Sequence, residues 1–152
     1  MAFVRNLLVL FGFAASVVVA SADDSWRVVA AAGVVNAGGQ GILPVAVSDK
    51  QTLPPESWIE TGANGRAVIA RGLESIVVAP NSRLVLPAQR VNGNAQVVQA
   101  AGSALYQIDK QKAPHFQVNT PYLAAVVKGT TFEVTVSERS ATVAGTEGLV
   151  QV

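Results

Sequence analysis

His115 is the residue with the most versatile chemistry in this chain, and it is the only histidine among the 152 residues. Cysteine is absent. A two-histidine metal site, thiol catalysis and cysteine-ligated zinc or iron–sulfur sites are therefore excluded. A serine nucleophile would have to use His115 as its base, yet the sequence contains no Gly-x-Ser-x-Gly elbow. Since histidine catalysis needs a positioned partner, we expect a surface or turn-proximal histidine after Pro114.

Two other patterns superficially resemble catalytic or ligand sites. The run Gly38-Gly39-Gln40-Gly41 lacks the Gly-Lys-Ser/Thr ending of a phosphate-binding loop, and no helix is predicted after it, so it indicates an ordinary loop. Glu56 and Glu60 flank Trp58 on a predicted strand, opposite the apolar Ile59. We interpret these two carboxylates as a solvated face rather than an acid/base pair. The sequence therefore predicts no catalytic residue, no cofactor and no metal site, and a protein that is not an enzyme.

Candidate partner contacts come from basic and aromatic side chains. Lys110, Lys112, His115 and Lys128 form a modest basic cluster, which is either solvated loop charge or a contact for an acidic partner or polysaccharide. Trp26 and Trp58 could each stack on a sugar ring, but their strand-like apolar surroundings favour packing in the core or at its rim. The candidate contact residues are Trp58, Arg66, Arg71, Lys110, Lys112 and Tyr122.

The overall composition excludes two classes of protein. With 11 basic and 10 acidic residues the net charge is +1, which lacks the basic excess of a nucleic-acid-binding protein. Charged residues make up 14 % and hydrophobic residues 50 % of the chain, which argues against intrinsic disorder. We therefore predict a folded domain with no nucleic-acid partner.

Residues 1–22 have the pattern of a secretory signal peptide. Arg5 is followed by an uncharged apolar run from Leu7 to Ala20, and Ala20-Ser21-Ala22 is a small-x-small cleavage site. The apolar run is shorter than the roughly 20 residues that span a bilayer, so we expect cleavage rather than a retained membrane anchor. The mature domain would be residues 23–152, with 10 basic and 10 acidic residues, no stable membrane span and a periplasmic or secreted location.

The sequence pattern of residues 23–152 predicts an all-β fold. Apolar and polar residues alternate in Thr130–Val136, where Phe132, Val134 and Val136 share one face. Similar short segments recur about every 8–12 residues, among them the strand candidates Val28–Val35, Gln96–Ala100 and Ala104–Asp109, the last two separated by Gly102. Turn signals such as Asn64-Gly65 and Asn92-Gly93 lie between these segments. This spacing is typical of a sandwich, a barrel or a short solenoid built from about ten or more short strands.

Several ordered motifs in this chain resemble those of the FecR domain. The most specific match has two parts, which are Phe116-Gln117-Val118-Asn119-Thr120-Pro121 and then Ala124-Ala125-Val126-Val127-Lys128-Gly129-Thr130-Thr131-Phe132-Glu133-Val134. Ile59-Glu60-Thr61-Gly62 and Ala79-Pro80-Asn81-Ser82-Arg83-Leu84 are similar to earlier family elements, and Glu147-Gly148-Leu149-Val150 to the closing one. The motif residues are Thr61, Gly62, Phe116, Val118, Thr120, Pro121, Gly129, Thr130, Phe132, Val134 and Gly148. Among them, Gly129 permits a bend between two strands, and Thr130 can cap that bend by side-chain hydrogen bonding.

The resemblance implies a compact all-β unit, a short twisted β-solenoid or a β-sandwich. In the transmembrane sensors of this family the module follows a cytoplasmic anti-sigma segment and a membrane helix, whereas only six residues precede the apolar run here. We therefore expect a stand-alone exported binding or assembly module of the bacterial envelope, whose partner is an envelope protein or glycan. The alternative is a component of extracytoplasmic sigma-factor signal transduction of the iron-uptake type.

Overall fold

Every regular element that the structure describes is a β-strand. The structure is a computed structural model, and it describes residues 25–39, 43–87, 94–147 and 150–152, so the predicted signal peptide lies outside the described residues. The strands are β1 (Trp26–Ala32), β2 (Val35–Gly38), β3 (Val45–Ala46), β4 (Thr52–Leu53), β5 (Trp58–Thr61), β6 (Arg66–Arg71), β7 (Glu74–Val78), β8 (Arg83–Val85), β9 (Ala95–Gln107), β10 (Phe116–Asn119), β11 (Ala124–Val127), β12 (Thr131–Val136), β13 (Ala141–Glu147) and β14 (Val150–Gln151). The predicted all-β class is confirmed.

The alternating sequence explains why these segments are strands with one buried face. Successive side chains of a strand point to opposite sides, so every second apolar residue can enter a core. In β12 the buried positions are Phe132, Val134 and Val136, as the alternation predicts. The hairpin of β6 and β7 follows the same rule, with Ile69 and Ile76 opposite each other and both fully buried.

The strands join into one curled, open sheet because β9 belongs to two runs of strands. The first run is β13-β12-β9-β7-β6-β1-β4 and the second is β3-β2-β5-β8-β9-β10-β11-β14. The first half of β9 pairs with β8 and, in parallel, with β10. Its second half pairs with β7 and β12. The coarse architecture is thus a curled sheet around one core, while the finer choice between a short solenoid and a sandwich stays a prediction.

The first half of β9 buries odd-numbered residues and the second half buries even-numbered ones, a change of parity along one strand. Ala95, Val97 and Gln99 are buried in the first half, whereas Ala104 and Tyr106 are buried in the second. One additional residue must therefore be accommodated between Gln99 and Ala104, and the register against β8 shifts at this point. This change of parity lets both runs of strands turn their apolar faces toward the same core.

Gly102 is the point where β9 changes from one run to the other. Its φ is +80°, which is the left-handed region that side chains with a β-carbon avoid. A β-carbon at this position would lie 2.1 Å from the Ser82 Oγ and 2.5 Å from the Asn81 carbonyl oxygen. The turn before β8 therefore fits directly against the bare backbone of Gly102.

Two buried polar side chains hold the bend in β9. Gln99 Nε2 donates to the carbonyl oxygens of Gly102 and Val134, each at 2.8 Å, and its Oε1 accepts the Tyr106 hydroxyl at 2.8 Å. Ser82 Oγ accepts the Ser103 N–H at 2.9 Å from the other side. Burial raises the pKa of Tyr106 well above its usual value, so its hydroxyl stays a neutral donor to Gln99.

Three features of the strand pattern differ from the prediction. The segments Gln96–Ala100 and Ala104–Asp109, expected as two strands separated at Gly102, form the single strand β9. The predicted strand Val28–Val35 is interrupted at Gly33 and divides between β1 and β2. The short strand β4 carries no alternation and was not predicted. The Asn64-Gly65 turn lies between β5 and β6 as expected, and Asn92-Gly93 lies outside the described residues.

We predict that Gly102→Ala lowers the free energy of unfolding by about 3 kcal/mol or more, because left-handed strain adds to the overlap with the Ser82 turn. Gly72→Ala is the matched control. Gly72 also has a positive φ, +57°, but a β-carbon there would meet no atom within 4 Å. It should cost only about 1 kcal/mol. Urea unfolding of both variants measures the difference, and equal losses would contradict the account of the bend.

Candidate functional site

One end of the sheet brings the predicted basic cluster together. The segment after β9 runs beside the turn after β11, because the Gln111 N–H donates to the Lys128 carbonyl at 2.8 Å and the Ile108 N–H donates to the Thr130 carbonyl at 3.0 Å. Gly129, with φ +133°, allows this contact, since a β-carbon there would lie 2.3 Å from the Lys110 Cα. The backbone therefore positions the three lysines on neighbouring segments.

Lys110, Lys112 and Lys128 form what we call the lysine cluster. All three are exposed, and among the described side chains, which do not include that of Glu147, no carboxylate lies within ion-pair distance of them. Asp109 is the only acidic residue on segments 108–114 and 128–130, so three lysines and one aspartate leave these segments with a charge of +2. A patch of this sign attracts anionic groups over roughly one Debye length, about 8 Å at physiological salt.

A buried ion pair lies behind this end of the sheet. Arg71 and Glu74 flank the two-residue turn between β6 and β7, and Arg71 Nη2 donates to Glu74 Oε2 at 2.7 Å. Both side chains are only 3 % exposed. The Arg71 guanidinium also lies 4.7 Å from the centre of the buried Trp26 ring. Arg71 was predicted as a partner contact, and its burial corrects that interpretation because its charge is already satisfied inside the fold.

His115 extends this buried group from the start of β10. It is 4 % exposed, with Nε2 3.7 Å from Glu74 Oε1 and Nδ1 3.4 Å from the Ala113 carbonyl oxygen. Of the two expected positions, surface or turn-proximal, the surface position is wrong, because β10 brings His115 inward against the β6–β7 hairpin. His115 does lie close to a turn, since it follows the bend at Lys112 and Ala113. A small pocket of about 120 Å³ adjoins it, lined in part by Gln96 and Gln117. Among the described atoms His115 Nε2 has no hydrogen-bond partner.

The other predicted contact residues are Trp58, Arg66 and Tyr122, and none of them lies on the segments that carry the lysine cluster. Trp58 is half-buried on β5, against Gly38 of β2, with the Arg83 guanidinium 4.9 Å from its ring centre. Arg66 is exposed at the start of β6. Tyr122 is about half exposed at the turn between β10 and β11, and its hydroxyl donates to the Glu138 carbonyl. Trp58 is therefore a rim residue that Arg83 partly covers.

The two glutamates considered for acid/base chemistry are both exposed. Glu60 is exposed and forms an ion pair with Arg83 on the neighbouring strand β8. Glu56 is exposed in the turn before β5, where its φ is +62°. This arrangement agrees with the predicted solvated face. Of the glycine-rich run, Gly38 ends β2, and residues 40–42 lie outside the described residues.

The motif residues of the early elements, Thr61 and Gly62, form hydrogen bonds that hold turns in place. Thr61 Oγ1 donates to the Ala79 carbonyl at 2.6 Å and accepts the Ser82 N–H at 3.0 Å, so two separate motifs meet here. The Gly62 N–H donates to the Val34 carbonyl at 2.9 Å. The two Thr61 bonds hold the β7–β8 turn in the position that Gly102 requires.

The later motif residues divide between turn and core. Thr120 Oγ1 accepts the Leu123 N–H at 3.0 Å and so closes the turn that contains the exposed Pro121. Four motif residues, Phe116, Val118, Phe132 and Val134, are buried in the core. Thr130 was expected to cap the bend, and its hydroxyl reaches the Thr131 carbonyl at 3.4 Å, while its backbone carbonyl binds Ile108. Gly148 lies outside the described residues.

Sequence reasoning missed the buried group made of Arg71, Glu74 and His115. One signal was present: arginine and glutamate stand three residues apart across Gly72-Leu73, a spacing at which a tight hairpin brings the two side chains together. No sequence signal connects either residue to His115, which lies about 40 residues further along the chain. Only the pairing of β7 with β9 and of β9 with β10 brings them together.

Two further features, a membrane-spanning helix and a group of metal ligands, are absent from the described residues. No helix in this part of the chain is long and apolar enough to span a membrane. Nor does the same part contain three or more histidine, cysteine, aspartate or glutamate residues grouped so that they could hold a metal ion.

Comparison with protein-family models finds one match. A model described as "FecR protein" matches residues 57–151, which is 95 of the 152 residues. This range contains the lysine cluster, the buried ion pair and all of the motif residues. Comparisons with curated proteins and with solved structures found no match.

We predict that Glu74→Ala lowers the free energy of unfolding by about 3 kcal/mol, because it removes the carboxylate from a buried guanidinium. Glu60→Ala is the control, since it breaks an ion pair whose side chains are 48 % and 45 % exposed and should cost less than about 1 kcal/mol. Urea unfolding at neutral pH compares the two. A loss for Glu74→Ala no larger than that for Glu60→Ala would show that the buried pair does not stabilise the fold.

Proposed function

Because this chain belongs to the FecR protein family, we propose that it is an exported, non-enzymatic binding and assembly module of the bacterial envelope. Its location would be periplasmic or secreted. The family membership associates the chain with envelope and signal-transduction modules, and the signal-peptide pattern of residues 1–22 supports export. Fold alone does not decide function, so the proposal depends on which charged residues are buried and which are exposed.

The observation that carries the proposal is the division of charged groups between core and surface. Arg71, Glu74 and His115 are buried against one another. The titratable side chains at this end of the sheet that could take part in catalysis therefore face the interior. The lysine cluster is exposed beside them and has a net charge of +2 with its neighbouring aspartate. A rigid scaffold that presents cations on loops is suited to recognition at the surface.

We infer that the partner is an envelope protein or glycan that presents anionic groups to the lysine cluster. Flexible ammonium groups contact carboxylates or phosphates as point charges and do not demand one geometry. Gly129 and the Gln111–Lys128 hydrogen bond order the two segments that carry these groups. The entropic cost of binding should therefore fall mainly on the lysine side chains rather than on the loop backbone.

The alternative function is a component of extracytoplasmic sigma-factor signalling. The family match favours it, because FecR-like modules are associated with signal transduction. This role would require residues 1–22 to remain as a membrane anchor and a separate cytoplasmic partner to exist. The two functions therefore differ in what happens at Ala22.

N-terminal sequencing of the protein isolated from its native envelope distinguishes the two functions. We expect the mature chain to begin at Asp23, since Ala20-Ser21-Ala22 is the predicted cleavage site. An N-terminus at Met1 or Ala2, with the protein recovered in the membrane fraction, would favour the signalling role and contradict the soluble exported module.

Charge reversal tests the lysine cluster directly. We expect Lys110→Glu/Lys112→Glu to reduce recovery of the bound partner from an envelope extract about tenfold, because like charges would then face the partner's anions. Recovery by the unmodified protein should also fall as salt is raised. The control is Lys50→Glu/Arg139→Glu, which makes the same change of charge at exposed residues of other turns. No recovered protein or glycan, or equal recovery by both variants, would contradict the proposal.

A further inference from the structure

The edges of the sheet differ greatly in length. Among the residues that the structure describes, four strands have a neighbour on one side only, and these are β3, β4, β13 and β14. Three of them are two residues long, whereas β13 has seven residues, Ala141–Glu147. Short edges offer too few backbone groups to bind another strand, so β13 is the one edge in the described chain that could do so.

β13 also lacks the usual protection of an edge strand. Natural sheets blunt long edges with charged side chains, proline or a covering loop. The six residues from Ala141 to Thr146 include neither a charge nor a proline, and the one charged residue of β13 is Glu147 at its end. By contrast, the free side of β1 is covered by the following turn, where the Lys50 N–H donates to the Val28 carbonyl at 2.8 Å and Asp49 Oδ1 accepts the Ala31 N–H at 3.0 Å.

The core is open at this edge. Val134 and Val136 of β12 are almost fully buried, whereas Val143, the neighbour of Val134 on β13, is only partly buried and packs against the same core. A further strand beside β13 would cover Val143 and remove apolar surface from water. The edge therefore offers both free backbone groups and an apolar contact.

The hydrogen-bond pattern shows which backbone groups face outward. The Ser137 N–H donates to the Ser140 carbonyl at 2.8 Å within the four-residue connection between β12 and β13. Bonded and non-bonded pairs alternate along an antiparallel ladder, so Thr142 and Ala144 direct their backbone groups to β12. Ala141, Val143 and Gly145 then direct their N–H and C=O groups away from the sheet.

We propose that β13 is a homodimer interface, in which β13 of one copy pairs antiparallel with β13 of a second copy. The register with the longest overlap places Ala144 opposite Ala144 of the other copy, flanked by bonded pairs of Val143 with Gly145. Both strands present the same groups to each other, as a two-fold interface requires, and no like charges meet among residues 141–146.

The pairing closes at two copies, because each described chain has one long free edge. A seven-residue ladder buries less surface than the roughly 1,600 Å² of a standard stable interface, so we expect a weak, reversible dimer. This inference does not depend on the partner proposed for the lysine cluster, which lies on other segments of the chain.

Cysteine cross-linking tests the register, since the chain contains no other cysteine. In the proposed dimer the two Ala144 Cα atoms form a non-bonded pair about 4.5 Å apart, within disulfide range. Glu133→Cys is the matched control: Glu133 pairs with Ala144 one strand further in, so its two copies are separated by about 14 Å. Under a mild oxidant we expect Ala144→Cys to form disulfide-linked dimers at least tenfold faster than Glu133→Cys.

Analytical ultracentrifugation of the unmodified chain from about 10 µM to about 1 mM gives a second readout, with a reversible monomer–dimer equilibrium expected. Ala144→Lys places two ammonium groups opposite each other and should weaken this dimer at least tenfold, and the exposed side chain leaves the β12–β13 ladder intact. Unchanged circular dichroism would confirm that the variant folds. A chain that is monomeric throughout, a dimer that Ala144→Lys leaves unchanged, or equal cross-linking of the two cysteine variants would overturn the proposal.

Discussion

The bend of β9 at Gly102 is the constraint on which the rest of this fold depends. One strand of 13 residues serves two runs of the sheet, and its buried residues change parity at the bend. Without that change, one half of the strand would turn its apolar face to solvent. The positive φ of Gly102 makes the change possible, and the close approach of the Ser82 turn makes a larger residue incompatible with it.

Buried hydrogen bonds then specify the arrangement around the bend. Gln99 is fully buried, and its amide bonds both strand β9 and the neighbouring β12 while accepting the Tyr106 hydroxyl. A polar group in a core is costly unless it is paired, so the fold in which all of these bonds form is favoured over alternatives that leave them open. The buried ion pair of Arg71 and Glu74 fixes the β6–β7 hairpin in a similar way.

The use of charge in the interior bears on the proposed function. Arginine, glutamate and histidine side chains that could do chemistry are taken up by contacts with one another, while the lysines of the loops remain at the surface. The sheet supplies a rigid frame with polar loops at one end and an open edge at β13. Such a frame is suited to binding other molecules, by charge at the loops and by strand pairing at the edge.

Local information in the sequence was sufficient for the β class, for most strands and for the turns at Asn64-Gly65 and Gly129, because alternation and turn propensity act over a few residues. It was also sufficient for the clustering of Lys110 and Lys112. Three results needed the tertiary structure: the continuity of β9 through Gly102, the burial of Arg71, and the inward position of His115. Each depends on contacts between residues far apart in the chain. Hydrophobic patterning predicts which segments are strands but does not predict which strands pair.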